Sequence, residues 1–446
     1  MNRRTEFAWL GGLLAIGMAT RVFWVTVVDP RPEFAGGDGP FYLTVAQNLA
    51  NGYGFVYGQL ATYHTEPVIT AGPLYPAYLA VFYLLLGGHA THPIHDPPIP
   101  FAGGDPWIMG ARLGQAVVGA LTIAVVYALA RRLWGARAGL IAAGIMALDL
   151  RFIVETSAIY TETLFTLLLL AALTLYVAAH QGADTRLYAL TWIVLGLAVL
   201  ARPIALVIGP ALCLHLWVGT TRAQAFRQTI VLIAMLGLVL GPWLARHYLL
   251  FGDFNVLGSS AASHFWLGAI RSGQWEGLTD FVEQRLAIAG GDPNNPPYLQ
   301  VALAVIAENP LRFVQLLGLK LARAYLQPFG AAFFPGPSLK AMLADVLASR
   351  ASLGALAGQA TFWPKAIIYL FHFGTIGLGL AGMWRSRRRW RETLPLILTI
   401  ASVSGAYALL TIIPRYLFPI MPLFTVFAAQ TVKDEVHLPR QRSPAG

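Results

Sequence analysis

The stretch ARLGQAVVGALTIAVVYALARRLWGARAG, Ala111 to Gly139, decides the fold class. From Trp107 to Ala130 the chain is apolar and long enough for a helix to cross a hydrocarbon core about 30 Å thick. It then runs into a short turn carrying Arg131, Arg132 and Arg137. An apolar run closed by a basic turn marks a span whose basic end stays in the cytoplasm. The same alternation recurs along all 446 residues, of which 57% are hydrophobic and only 12% charged. Soluble domains carry about 25% charged residues, so the composition predicts an all-α polytopic membrane protein.

Working outward from that turn fixes a topology. Arg3 and Arg4 place the N-terminus inside, Phe7 to Val28 runs outward, and Trp107 to Ala130 returns, which leaves residues 29–106 as a large first external loop. Gly139 to Val154 goes out and Thr161 to Ala179 comes back. A pair broken at Arg202-Pro203 ends near Arg222 and Arg227. Ile230 to Leu249 goes out to a second long external region, 251–364. Lys365 to Trp384 returns to RSRRRWRE, and Leu394 to Ile413 and Tyr416 to Val432 complete about ten spans, with 433–446 as a cytoplasmic tail. Every basic cluster then falls on one side. Two apolar segments resist counting as spans. PLYPAYLAVFYLLLGG, Pro73 to Gly88, is short enough to be re-entrant or interfacial, and NPLRFVQLLGLKLARAYLQPFG, from Asn309, reads as an amphipathic helix at the external surface.

The net charge of +10 lies in the loops between spans, which argues for topology and against nucleic acid. The single cysteine, Cys213, excludes an intramolecular disulfide framework. The apolar run after MNRRTEFAWL has no small-residue cleavage site, and a retained first helix is expected.

The ionisable residues near the external boundary are the candidates for chemistry: Asp38, Glu66, Arg151, Glu155, Glu162, Arg202, Arg246 and Arg415. Charges at such depth cost several kcal/mol when inserted and mark pathways or sites. Asp38, in GGDGPFYLTVAQNLANGYGFVYG (Gly36 to Gly58), is held between glycines and is suited to act as a general base on a hydroxyl. Equally, it is placed to N-cap a helix beginning at Pro40. Glu66 precedes Pro67 in a polar stretch, where it either meets a sugar hydroxyl or is simply solvated. Glu162 is expected at a helix N-terminus, where the dipole stabilises a carboxylate. Arg415, in IIPRYLFPIMP, and Arg246, in GPWLARHYLLFG, are placed to grip a lipid phosphate through two hydrogen bonds or to snorkel to the interface. HATHPIHDPP, with His89, His92, His95 and Asp96, has metal-ligand residue types, but its prolines argue against a regular face, and no metal is expected.

The ordered pieces GGDGPFYLTVAQNLANGYGF, GPLYPAYLAVFYLLLG, ARLGQAVVGALTIAVVYALARRLWG, YTETLFTLLLLAALTLYV, GLAVLARPIALVIGPAL, GPWLARHYLLFGDF and RYLFPIMPLF resemble the GT-C class of membrane glycosyltransferases, over roughly residues 7 to 430. The likeness is to the bacterial relatives of the protein O-mannosyltransferases and of the aminoarabinose transferase acting on lipid A. It implies a GT-C-type bundle of about 10–13 transmembrane helices and no cofactor. It also implies a sugar donor linked to a polyprenyl phosphate, a lipid, glycan or protein acceptor, and inverting transfer at the external face of a bacterial inner membrane. On that resemblance Asp38 matches the first-loop acid proposed as catalytic base, and Arg415 matches a basic residue that would hold the donor phosphate, with Arg246 beside it. Tyr42, Glu66, Tyr75 and Glu162 are taken as substrate-binding. This chain departs from the relatives in having Gly39 where many have a second acid, and in separating Glu66 from Pro73 without a lysine. The competing classes are a transporter or lipid flippase, which calls for charges near the midplane and symmetric halves, and a non-catalytic scaffold in which Asp38 is dispensable.

Overall fold

The computed structural model describes residues 2–30, 38–59, 64–68, 71–87, 105–252, 254, 298–350 and 352–435. The His89, His92 and His95 cluster and Asp96 lie outside these residues, as do most of 251–297 and the tail beyond 435. The elements are almost all helical: α1 (Arg3–Phe23), α2 (Gly39–Ala50), α3 (Leu74–Leu86), α4 (Pro106–Trp134), α5 (Ala136–Leu148), α6 (Leu150–Val154), α7 (Glu162–Gly182), α8 (Thr185–Ala201), α9 (Ile208–Gly219) and α10 (Arg222–Phe251). Then follow α11 (Tyr298–Glu308), α12 (Pro310–Leu326), α13 (Leu339–Leu347), α14 (Leu353–Ala357), α15 (Phe362–Arg385), α16 (Trp390–Leu409), α17 (Pro414–Leu417) and α18 (Met421–Glu435). A two-stranded antiparallel hairpin, β1 (Val56–Gln59) and β2 (His64–Pro67), interrupts the first loop.

Among the described residues, five segments are long and apolar enough to cross a membrane: Arg3–Val28, Pro106–Trp134, Glu162–Gly182, Arg222–Phe251 and Phe362–Leu409. The last comprises α15 and α16, joined by the basic turn Ser386–Arg389. Leu74–Leu86, Ala136–Leu148, Thr185–Ala201 and Pro203–Gly219 are apolar but shorter. The count of about ten spans expected from the sequence therefore includes helices shorter than a full crossing, for local reasons. Asp149 ends α5 and caps α6, accepting the Arg151 amide at 3.0 Å. Pro203 cannot extend α8, and Arg202 turns extended before it. As the sequence suggests, α3 is about 20 Å long and does not reach across a bilayer. Residues 251–364, expected to be external, are largely helical where described: α11 and α12 meet at a 107° bend at Asn309-Pro310.

Two ends of the bundle can be told apart by what ties them. At one end Arg131 Nε meets Glu6 at 2.6 Å, and Arg385 Nη2 meets Glu435 at 2.6 Å. This end carries the arginine-rich turns. Roughly 28 Å from Arg131 along α4, at about 1.5 Å per residue, Arg112 donates to the Ser157 and Asp29 carbonyls. Between the ends, small residues let helices close on one another. Gly379 and Gly382 of α15 lie against Phe424 and Phe427 of α18, the packing expected where lipid gives no hydrophobic drive between helices.

Candidate active site

Asp38 stands at the N-terminus of α2, whose start is set by Pro40. Its backbone carbonyl accepts the Tyr42 amide, but its side chain makes no capping bond. The carboxylate instead meets Arg415, 377 residues away, with Nη2 to Oδ2 at 2.5 Å. The helix-cap reading thus finds no side-chain bond, and the acid is paired with an arginine instead.

Arg415 sits in the short turn α17 that leads into the last helix. Its Nε lies 3.1 Å from Glu162 Oε1, and the same oxygen lies 2.5 Å from Arg202 Nη1. Glu162 opens α7 as expected, and Arg202 is freed at the break after α8, so two helix ends and two loops supply one alternating row of charges: Asp38, Arg415, Glu162, Arg202. Aromatic faces support the cations. Arg415 lies 4.3 Å over Tyr160, and Arg202 lies 5.1 Å over Tyr416, which stacks on Tyr407. Burial works against the Arg415 charge, but Glu162 and Asp38 outweigh it, and the guanidinium titrates above its ordinary value.

Glu155 completes the cluster and received little weight from the sequence. It is 1% exposed, and neither carboxylate oxygen has a hydrogen-bond partner. Burial first, and Glu162 second, push its carboxyl well above the usual carboxylate range, against the opposing pull of Arg415 and Arg202. The row beside it holds two carboxylates, Asp38 and Glu162, and two guanidiniums, Arg415 and Arg202.

Asp38, Tyr160 and Arg415 open onto a cleft of about 1630 Å³, whose far wall is built by the end of α12, the segment after it, α13 and the start of α15. That exceeds the roughly 300–1,000 Å³ of an ordinary small-molecule pocket. Leu326, Phe329, Phe333, Phe334, Leu343 and Ile413 make much of the wall apolar. Two cations on that wall, Arg323 and Lys340, are exposed and have no ion-pair or hydrogen-bond partner among the described residues. A third, Lys365, is spent inward, its Nζ donating to the Pro335, Gly336 and Pro337 carbonyls at 3.0, 3.2 and 2.8 Å. Sequence reading noted Arg323 only as part of an amphipathic helix and passed over Lys340. The cue was available in α12, where cations break an apolar pattern.

The other expected site residues fall elsewhere. Tyr42 is next to the charge row, within electrostatic reach of Arg202, Asp38, Glu162 and Arg415, and packs edge-on against Tyr75 at 5.1 Å. Tyr75 is fully buried behind it, donating to Gln115 Oε1. Glu66 pairs in backbone register with Tyr57 across the hairpin. Arg246 lies outside the cleft lining. It donates to the Phe55 and Val68 carbonyls and stacks on Trp243 at 4.7 Å, anchoring the hairpin's root to α10. Arg151, expected at the external boundary, is buried, bound to Asp149 and His372. Among the described residues no group of three His, Cys, Asp or Glu is arranged to hold a metal.

A multi-pass helical bundle with a loop-borne acid and a row of charges at the end away from its basic turns, above a lipid-sized cleft, has the GT-C glycosyltransferase fold. Residues 102–245 match the family model described as dolichyl-phosphate-mannose-protein mannosyltransferase. Among curated proteins none matches the sequence. Among solved structures, the oligosaccharyltransferase of Archaeoglobus fulgidus in its apo form superposes with a TM-score of 0.59 at 16% identity, covering 98% of this chain and 51% of that one. The same archaeal protein in complex with an inhibitory peptide and a dolichol-phosphate gives 0.56 at 15% identity, covering 96% and 51%. ArnT from Cupriavidus metallidurans bound to undecaprenyl phosphate gives 0.41 at 16% identity, covering 94% and 77%. The chain thus spans about half the length of the archaeal structures, and at these identities the likeness establishes the fold.

Proposed function

We propose that this protein transfers a sugar from a polyprenyl-phosphate donor to an acceptor hydroxyl, at the membrane face opposite its arginine-rich turns and with inversion at the anomeric carbon. One observation carries the reading: an acid and an arginine 377 residues apart meet on the wall of a lipid-sized cleft. The dolichol-phosphate held by the structurally similar archaeal enzyme supports a lipid phosphate as the donor's anchor.

In this reaction the bond from the anomeric carbon to the phosphate oxygen breaks as the acceptor oxygen bonds to that carbon from the other side. The acceptor proton passes to the Asp38 carboxylate. The negative charge gathering on the departing lipid phosphate is met by Arg415, with Arg323 and Lys340 raising the positive potential along the cleft. The apolar wall leaves the polyprenyl chain in contact with hydrocarbon while the sugar sits among the polar groups. Tyr42, beside the charge row, is placed to contact the sugar. Arg246 and Tyr75 support the fold in this reading.

The experiment is transfer of radiolabelled sugar from a panel of polyprenyl-phosphate sugars in membranes containing the wild-type or Asp38→Asn protein. Asp38→Asn is expected to lower transfer by about 10²–10⁴-fold at unchanged expression and fold. Undiminished transfer in the variant overturns Asp38 as base. No transfer from any donor by the folded wild type shifts the reading to a transporter or scaffold.

A further inference from the structure

The contact between Asp38 and Arg415 is incompatible with the arrangement in which both would act. In an in-line displacement the base lies on one side of the anomeric carbon and the phosphate on the other. A proton transfer needs roughly 2.6–3.2 Å between base and acceptor oxygen, and the attacking atom lies about 3–3.5 Å from the carbon. Carboxylate and phosphate oxygen are then roughly 7 Å apart, a sugar's width. In the structure Arg415 Nη2 touches Asp38 directly at 2.5 Å. Its Nε lies 3.1 Å from Glu162 Oε1 as an ion pair without a hydrogen bond, and each edge that could grip a phosphate by two bonds, Nε with Nη2 or Nη1 with Nη2, includes the Nη2 that Asp38 occupies.

We propose that Arg415 has two alternative anionic partners, the Asp38 carboxylate and the donor phosphate, and that exchange of the first for the second frees Asp38 to act as base. The inference rests on the donor reading given above. Three features fit an exchange. Glu162 is itself fixed by Arg202 at 2.5 Å and serves as a pivot at Nε, while the outer edge of the guanidinium turns. The Tyr160 ring, 4.3 Å below, offers a flat face that supports the cation without directing it. Asp38 has no capping bond to lose, its side chain is 47% exposed, and Gly39 follows it. Donor binding and base release are thereby one event, and an acceptor arriving before the donor meets a carboxylate already engaged.

The test is equilibrium binding of a polyprenyl monophosphate carrying no sugar to the full chain in lipid nanodiscs, read by native mass spectrometry. The neutral polyprenol serves as control. Competition predicts that Asp38→Asn, which abolishes the internal partner, binds the phosphate more tightly than wild type, by up to about fivefold for a part-exposed ion pair. Asp38→Glu, which keeps the charge, should bind as wild type does, and Arg415→Ala should bind more weakly than either. Polyprenol binding should not change across the series. Wild-type affinity in Asp38→Asn, or weaker, with Arg415→Ala still impaired, overturns the exchange and leaves the donor reading standing. Phosphate binding that ignores Arg415 overturns both.

Discussion

Glu155 illustrates how a single buried side chain sets the electrostatics of this site. Its carboxyl is raised above the ordinary 4.5, chiefly by burial and then by Glu162. The folded protein therefore holds this proton more tightly than the unfolded chain does. That contribution to stability is fully present below pH 4.5 and is lost as pH rises from there toward the raised value. Glu155→Gln keeps the shape without the titration. Its melting temperature should match wild type in acid and exceed it progressively as pH rises toward neutrality, as followed by scanning fluorimetry across pH. Equal differences at every pH would show that Glu155 is not held neutral. Arg415 was legible in the sequence because it interrupts an apolar stretch beside two prolines. Glu155 was named there only as one boundary charge among several: its surroundings come from Glu162, Arg202 and Arg415, and no local spacing announces its burial.

At the scale of elements, the close approach of α15 to α18 gives a sharp expectation. A methyl at Gly382 would stand 2.1 Å from the Phe427 carbonyl oxygen and 2.7 Å from its carbon, and backbone cannot turn aside as a side chain can. Gly382→Ala should lower stability by about 1–3 kcal/mol. Gly374, on the same helix with nothing within 4 Å of its added methyl, is the control. There alanine should be neutral or stabilising by up to about 1 kcal/mol, and thermal unfolding in detergent separates the two. The cleft wall depends on another tie between elements. Arg151 Nη1 donates to His372 Nδ1 at 2.8 Å, so the other ring nitrogen carries the proton and donates to the Tyr325 carbonyl at 2.6 Å. This relay runs from α6 through α15 to Tyr325 near the end of α12, between the cleft residues Arg323 and Leu326. His372→Phe breaks both bonds and leaves the buried Arg151 nitrogen without its partner, at a cost of about 1–3 kcal/mol. Proteolysis after Arg323 should quicken in this variant, and unchanged cleavage would show that the relay does not hold the wall. Arg151 and His372 are 221 residues apart, which is why sequence reading placed Arg151 at the boundary.

For the molecule as a whole, the two ends define a sidedness that labelling can test. In a Cys213→Ser background, Asn51→Cys lies in the first loop, at the end of α2 away from Asp38, and Arg388→Cys lies in the basic turn; both positions are exposed. A membrane-impermeant maleimide is expected to label the first in intact cells and the second only after permeabilisation. The reverse pattern would invert the topology. Much of this architecture could be read beforehand, because apolar length and basic turns obey one-dimensional rules, as Arg131, Arg132 and Arg387 to Arg389 show. The break at Arg202 was legible too, through Pro203, whereas the one at Asp149 falls inside the span expected from Gly139 to Val154. The wall bearing Arg323 and Lys340 follows instead from how helices meet, which spacing along the chain does not encode.

The row of charges is also ordered in time. Glu162 and Arg202 are made only a helical hairpin apart, whereas Asp38 leaves the ribosome 377 residues ahead of Arg415. At about 5–20 residues per second, that carboxylate waits roughly 20–75 s for its cation. During synthesis the membrane thus holds an inserted but incomplete chain, and translation arrested before Arg415 should leave it without the proposed transfer activity.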